Sequence, residues 1–294
     1  MKISLGTGEF LVLSDLHIGH QASAIRDVSA LASLMQPGRT IIFNGDTFEM
    51  RRAVDRTKAV QHVAALNALL LKSKTNSHFI SGNHDPTVSD LTFIECPATG
   101  VLITHGDALF HNIAPWSLNE KHYSRAHARE IAQLTDAERT DLSSRLAALR
   151  RATTRYDISH PTVKPGLAGT LVHLLETTWP PWRPLSILKC WAEIPHRAET
   201  FTQTYRPDTS TLIIGHSHFA GTWMKNSLRI INTGAAMTGF RPRAVHFQNG
   251  RMRIRRLVWN QNTLELGPTL AAVDLPVSER SIPDLHEIQA LSGR

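Results

Sequence analysis

Five short polar clusters hold most of the side chains able to do chemistry: Ser14-Asp15-Leu16-His17, Asn44-Gly45-Asp46, Gly82-Asn83-His84-Asp85, Thr104-His105-Gly106-Asp107 and Gly215-His216-Ser217-His218. The donors are Asp, His and Asn, with no Cys among them. Oxygen and imidazole donors suit manganese, iron or zinc better than copper or iron-sulfur centres. Asp15 and His17 are two residues apart, as are His216 and His218, and on an extended segment such a pair projects to one side and can chelate a single ion. Asp46 follows Gly45, which permits a tight turn, and a carboxylate so placed can bridge two ions. Any one of these clusters occurs by chance, and a lone His beside a strand is commonly structural; five together are hard to explain without metals.

Each cluster terminates an apolar run that reads as a buried strand, at 10–13, 40–43, 78–80, 101–103 and 211–214. In open α/β sheets ligands bind beyond the carboxyl ends of strands, so five segments would deliver their polar ends to one edge. Helical patterns at 22–35 and 58–72 alternate with the first strands, the signature of an α/β layer architecture. After 211 the texture changes to short β-rich runs with turns at Thr233-Gly234 and Asn249-Gly250, which predicts hairpins. Between the two parts, 111–208 has helical periodicity (Ile131, Leu134, Leu142, Leu146, Leu149) and carries none of the clusters. The expected organisation is a discontinuous core of 1–110 and 209–260, a helical insertion at 111–208, and a Pro-spaced surface tail at 261–294.

Composition bounds the function classes. The 294 residues are 41% apolar, enough for a large core, and no stretch approaches the length of a membrane span. Two distant cysteines, Cys96 and Cys190, suggest neither a disulfide framework nor a thiolate site, and with no secretory signal visible the expected compartment is the cytoplasm. The net charge of +7 is concentrated: residues 221–260 contain Lys225, Arg229, Arg241, Arg243, Arg251, Arg253, Arg255 and Arg256 and no acid. Such a stretch suits nucleic acid, anionic lipid or phosphorylated substrates, or is a solvated strand face. Trp179, Trp182 and Trp191, beside Arg183 and Lys189, form either packed cap residues or a peripheral membrane contact.

The order Asp-x-His, Gly-Asp, Gly-Asn-His-Asp, His-Gly-Asp, Gly-His-x-His resembles the calcineurin-like metallophosphoesterase superfamily, over residues 10–110 and 210–235. The resemblance implies a four-layer αββα sandwich, here with a helical cap insertion, and two divalent ions, with manganese preferred and iron or zinc as alternatives. It implies that Asp15, His17, Asp46 and His218 hold the first ion and that Asp46, Asn83, His105 and His216 hold the second. It further implies in-line attack on phosphorus by a bridging hydroxide, with His84 protonating the leaving oxygen. Asp85 and Glu49 join His84 as catalytic candidates, placed to orient a histidine or a loop or else to cap a turn; Asp107 reads as structural, and His20, His111 and Arg51 as solvated in preference to touching substrate phosphate. The insertion's position and the run Gly45-Asp46-Thr47-Phe48-Glu49 are similar to the UDP-diacylglucosamine pyrophosphohydrolases of lipid A synthesis, although those typically carry Gly-Asn-Arg-Asp where this chain has Gly82-Asn83-His84-Asp85. The implied partner is a phosphorylated small molecule or nucleotide-linked lipid, joined by a phosphodiester or pyrophosphate bond. A DNA or RNA phosphodiesterase is the less favoured enzyme, since repair nucleases of this superfamily place their accessory domain after the last metal motif. A non-catalytic protein-binding scaffold is the other alternative.

Overall fold

A computed structural model describes residues 1–5, 8–51, 53–110, 112–113, 120–154 and 182–276. Two sheets face each other. The first has six strands in the order β11-β10-β9-β1-β2-β3: β1 (Glu9–Leu13), β2 (Arg39–Asn44), β3 (Asn76–Ile80), β9 (Arg243–Gln248), β10 (Arg251–Asn260) and β11 (Thr263–Asp274). The second has the order β4-β5-β6-β8-β7: β4 (Phe93–Cys96), β5 (Val101–Thr104), β6 (Thr211–Ile214), β7 (Gly221–Lys225) and β8 (Leu228–Asn232). The parallel strands β1, β2 and β3 lie together in one sheet, and β5, β6 and β8 in the other.

Three apolar clusters define the layers. Alternate residues of both sheets, among them Val12, Ile42, Ile80, Ile103, Ile213, Ile231 and Val245, fill the space between them. The opposite strand positions Leu11, Leu13, Ile41 and Phe43 pack under α1 (Ala53–Lys72) through Leu66 and Leu70. On the far side, Leu102, Leu212, Ile214 and Ile230 pack against the insertion. Its described helices are α2 (Glu120–Ala132), α3 (Asp136–Thr140), α4 (Leu142–Thr154) and α5 (Trp182–Tyr205). Tyr123, Leu146, Leu149, Ile194 and Phe201 share one buried cluster with the strands. The αββα sandwich is therefore completed by the insertion, which packs as its outer layer. No described helix is long and apolar enough to cross a membrane.

Two expectations need correction. Residues 22–35 do not form a helix; only Val28–Leu34 makes a 3₁₀ segment. Ser23 bonds the carbonyl of Leu16 and Asp27 accepts from the Ser29 amide, so short polar side chains supply the local bonds that compete with a helix. The stretch after 261 is not wholly a tail: Thr263–Asp274 is β11, paired antiparallel with β10. It is an edge strand, where Pro268 is tolerated because one side of the ladder is unpaired. Residues 277–294 lie outside the described residues.

Candidate metal centre

The five clusters meet at one edge of the paired sheets. Asp15 and His17 follow β1, Asp46 follows β2, Asn83 follows β3, His105 follows β5, and His216 and His218 follow β6. Single donor atoms from Asp15, His17, Asp46 and His218 lie within 4.8 Å of one another, as do donors from Asp46, His105 and His216. Asp46 belongs to both groups. Asn83 joins the second through its Oδ1, 3.2 Å from His105 Nε2.

The local backbone differs from the extended pairing expected. Asp15, His17, Asp46, His216 and His218 all have positive φ, between 48° and 65°. The paired ligands converge through consecutive left-handed turns rather than strand alternation, a conformation costly for residues other than Gly. Close packing adds a second requirement. A Cβ at Gly215 would collide with the Asp15 carboxylate and Ser14, and one at Gly82 with Asp46. Gly82 and Gly215 thus leave room for ligand side chains, rather than supplying a left-handed turn.

The imidazoles are oriented by carbonyls and a carboxylate. His105 Nδ1–H donates to the Asn44 carbonyl at 3.1 Å, which turns Nε2 toward Asp46 Oδ2 at 3.3 Å. His216 Nε2–H donates to the carbonyl of Ile113 at 2.7 Å, which leaves Nδ1 facing the cluster. Fixing the tautomer this way is how metal-ligating histidines are commonly prepared. His17 Nε2 and His218 Nε2 face each other at 3.0 Å. Asp15 is held by the His216 amide at 2.9 Å.

Burial lowers His17 and His216 well below the ordinary imidazole value, helped by neighbouring imidazoles, and carries His218 down to about 3. Neutral rings present lone pairs. Burial would raise Asp46, but the His105, His84 and His17 imidazoles outweigh it and hold the carboxyl well below its usual range. Burial, with Asp46 adding to it, raises Asp15 to about 7. His105 is the one imidazole raised: Asp46 beside it overcomes burial. Neutral imidazoles, an ionised central carboxylate and a carboxamide oxygen, all within a few ångströms, fit a pair of divalent cations. A cation at Asp46 would replace the proton that Asp46 draws onto His105.

His84 stands at the rim, 13% exposed, with Nε2 3.9 Å from Asp46 Oδ2. Its Nδ1–H donates to Glu49 Oε2 at 2.9 Å. Burial works against the Glu49 charge, but His84 and Arg51 lower its carboxyl well below the usual range. Arg51, expected in solvent, instead lies against Glu49 Oε1 at 3.3 Å, with Tyr123 of the insertion near enough to influence its charge, so Tyr123, Arg51, Glu49 and His84 run from the insertion to the rim. Tyr123 gave no sequence signal, being 72 residues after Arg51 with no motif of its own. The Asp85 oxygens accept from the amides of Asp46, Thr47, Phe48 and Gly82 at 2.7–3.2 Å, so this carboxylate staples together the loops that carry Asp46 and Asn83. Asp107, buried and raised to about 6 by burial, contacts neither cluster in this way. His20 stands beside the cluster, its ring 6.1 Å from that of His17. His111 lies outside the described residues.

Trp191 buttresses the last ligand loop. Its Nε1–H donates to the Ser217 carbonyl at 3.1 Å and its ring stacks on Phe219 at 4.5 Å. That is a packing role; Trp179 and the Trp182 side chain fall outside the described residues.

The model of the calcineurin-like phosphoesterase family matches residues 8–220. The chain belongs to that family. No curated protein matches the sequence. Solved structures that match the chain include a predicted phosphoesterase from Streptococcus pneumoniae TIGR4, 12% identical over 91% of this chain and 97% of that one, with a TM-score of 0.39. Vacuolar protein sorting 29 from Cryptosporidium parvum is 11% identical over 91% and 98% of the two chains, with a TM-score of 0.41. A cold-active protein-tyrosine phosphatase of a Shewanella species is 15% identical over 91% and 82%, with a TM-score of 0.42. Within the calcineurin-like phosphoesterases, the shared Asp46 and the Glu49-backed His84 are the features that bear on chemistry.

Proposed function

We propose that this chain is a metal-dependent hydrolase of a phosphodiester or pyrophosphate bond. The observation that carries the reading is the pair of donor groups sharing Asp46, with His84 at their exposed rim. Asp15, His17, Asp46 and His218 would hold one divalent ion, and Asp46, Asn83, His105 and His216 the other, with manganese the ion we expect. Bound ions would supply Lewis-acid charge for the phosphoryl oxygens and lower the pKa of a water for in-line attack.

The chain's own groups do the rest. Glu49, kept ionised by His84 and Arg51, accepts the Nδ1–H and holds the ring so that Nε2 faces the cluster, the atom we assign to proton delivery to the leaving oxygen. Asn44 and Ile113 fix the rings of His105 and His216. Asp85 sets the spacing between the loops of Asp46 and Asn83.

For substrate we favour a phosphorylated small molecule or nucleotide-linked lipid over a polynucleotide. Part of the basic stretch is spent internally: Arg251 pairs with Asp274 at 3.1 Å, and Arg255 donates to the carbonyls of Leu266 and Gly267. The test is hydrolysis of bis-p-nitrophenyl phosphate, p-nitrophenyl phosphate and a UDP-linked acylated sugar by manganese-loaded protein. Turnover of diester or UDP-lipid that stops on chelation supports the reading, and a preference for the UDP-lipid would name the class. Turnover of single-stranded DNA above both would favour a nuclease, and no turnover would favour a scaffold.

A further inference from the structure

The inner face of the six-stranded sheet ends in two arginines. Along β9 and β10 the paired positions are Phe247 with Met252, Val245 with Ile254, and Arg243 with Arg256. The first two pairs are buried between the sheets. Side chains of directly paired residues share a face, so the third pair continues that column to its end with two like charges side by side. Adjacent like charges are destabilising unless something negative lies between or above them.

That end is the metal edge. Val12 pairs with Val245, and from that last pair Ser14 lies two residues on along the chain and Arg243 two residues back, toward the same end of the two strands. The Arg243 amide donates to the Thr233 carbonyl at 2.8 Å, and Thr233 meets the Ser14 hydroxyl. Arg243 Nη1 reaches Thr222 at 3.5 Å, four residues past His218. Phe240, three residues before Arg243, is exposed, with its ring 5.7 Å from that of His218. Arg243 therefore stands at the cluster's end of the sheet, past Phe240, with Arg256 paired to it.

Some other arginines are paired with carboxylates, namely Arg39 with Glu9, Arg150 with Asp90, Arg206 with Glu95 and Arg251 with Asp274. Among the described residues no carboxylate pairs with Arg243 or Arg256. Burial together with Arg256 pushes the Arg243 guanidinium below its ordinary value, which agrees with an uncompensated pair.

We infer that Arg243 and Arg256 form an anion subsite for a second phosphate or carboxylate of the substrate, away from the phosphorus that reacts at the metal cluster. The inference rests on the proposed phosphoester chemistry and narrows it to substrates with two anionic groups. A guanidinium pair matches such groups by charge-assisted, two-pronged hydrogen bonds.

The test is calorimetric titration of the manganese-loaded full-length chain with terminal bisphosphates of propanediol, butanediol and hexanediol, against the matching monophosphates. At the best-fitting length the bisphosphate should bind about tenfold tighter than its monophosphate, the worth of one added charge-assisted contact. Arg256→Gln, at an exposed position, should cut that ratio by about half on a logarithmic scale, and Arg243→Gln/Arg256→Gln should abolish it, with melting curves confirming the fold. Arg243→Lys/Arg256→Lys should restore part of it. Equal binding of mono- and bisphosphates at every length, or a ratio unchanged in the double variant, overturns the subsite while leaving the metal centre standing. Monophosphate binding that ignores manganese would overturn the metal-centre reading, and the subsite with it.

Discussion

The metal edge of the sandwich and the helical insertion are built on different terms. At the edge most candidate ligands are tied down by the core itself: Asp15 by the His216 amide, His105 by the Asn44 carbonyl, and the loops of Asp46 and Asn83 by Asp85. Ligand backbones sit in left-handed turns that only a rigid surround would hold. Among its described residues, the insertion reaches these groups through the Ile113 carbonyl on His216, the Trp191 indole on the Ser217 carbonyl, and Tyr123 near Arg51. The lesson is that chemistry resides in loops anchored to the sheets, while the insertion adjusts orientation from outside. Substitutions should therefore rank by how directly they touch the edge.

His84→Ala should retain metal yet lose about 10²–10⁴-fold in rate, the usual range for a removed general acid. The loss should be greater for an alkyl leaving group than for nitrophenolate, as steady-state kinetics on both would show. Equal losses would reduce His84 to an electrostatic role. Asp85→Asn touches no reacting atom but loosens two ligand loops, so activity and metal affinity should fall by roughly 10–100-fold together. A rate loss at undiminished metal content, read by metal analysis of the purified variant, would show that Asp85 acts on substrate instead.

Tyr123→Phe sharpens the comparison from the insertion's side. Removing one hydroxyl from the Arg51 contact should lower kcat less than about tenfold and leave metal content alone. A drop as large as that of His84→Ala would place the insertion inside the catalytic machinery and break the distinction. Glu9→Gln probes the core far from the site. Although burial would raise the Glu9 carboxyl, hydrogen bonds from Arg39 and His246 hold it below 4.5 in the fold. Its stabilisation is complete above the unfolded value and is lost as pH falls through the lower folded value. The gap in Tm between wild type and variant should thus be largest above about pH 4.5 and close below it, with activity unchanged. A gap independent of pH would remove Glu9 ionisation from the explanation.

The clustering was legible because residue type and position at strand ends constrain it strongly: each of the seven candidate ligands proposed from sequence stands in the cluster or bonded to it. What escaped was non-local or conformational. Arg51 read as solvated because its partner Tyr123 comes from another layer of the fold. The spacing of Asp15 and His17 suggested chelation for the wrong geometric reason, since left-handed turns leave no mark on a two-residue interval. For Asp85 the sequence left open a histidine, a loop or a turn as its partner, and its carboxylate bonds loop amides, a choice set by the neighbouring loop. Pro268 concealed β11, because a proline reads as a strand breaker until the strand is known to lie at an edge.

The most direct test is bis-p-nitrophenyl phosphate hydrolysis by manganese-loaded wild type and Asp46→Asn, with bound manganese measured on the same samples. Asp46 is the donor common to both groups, so the variant should lose bound metal and about 10³-fold or more in turnover while keeping its fold, several kcal/mol of transition-state stabilisation. Turnover and metal content equal to wild type would contradict a centre organised on Asp46.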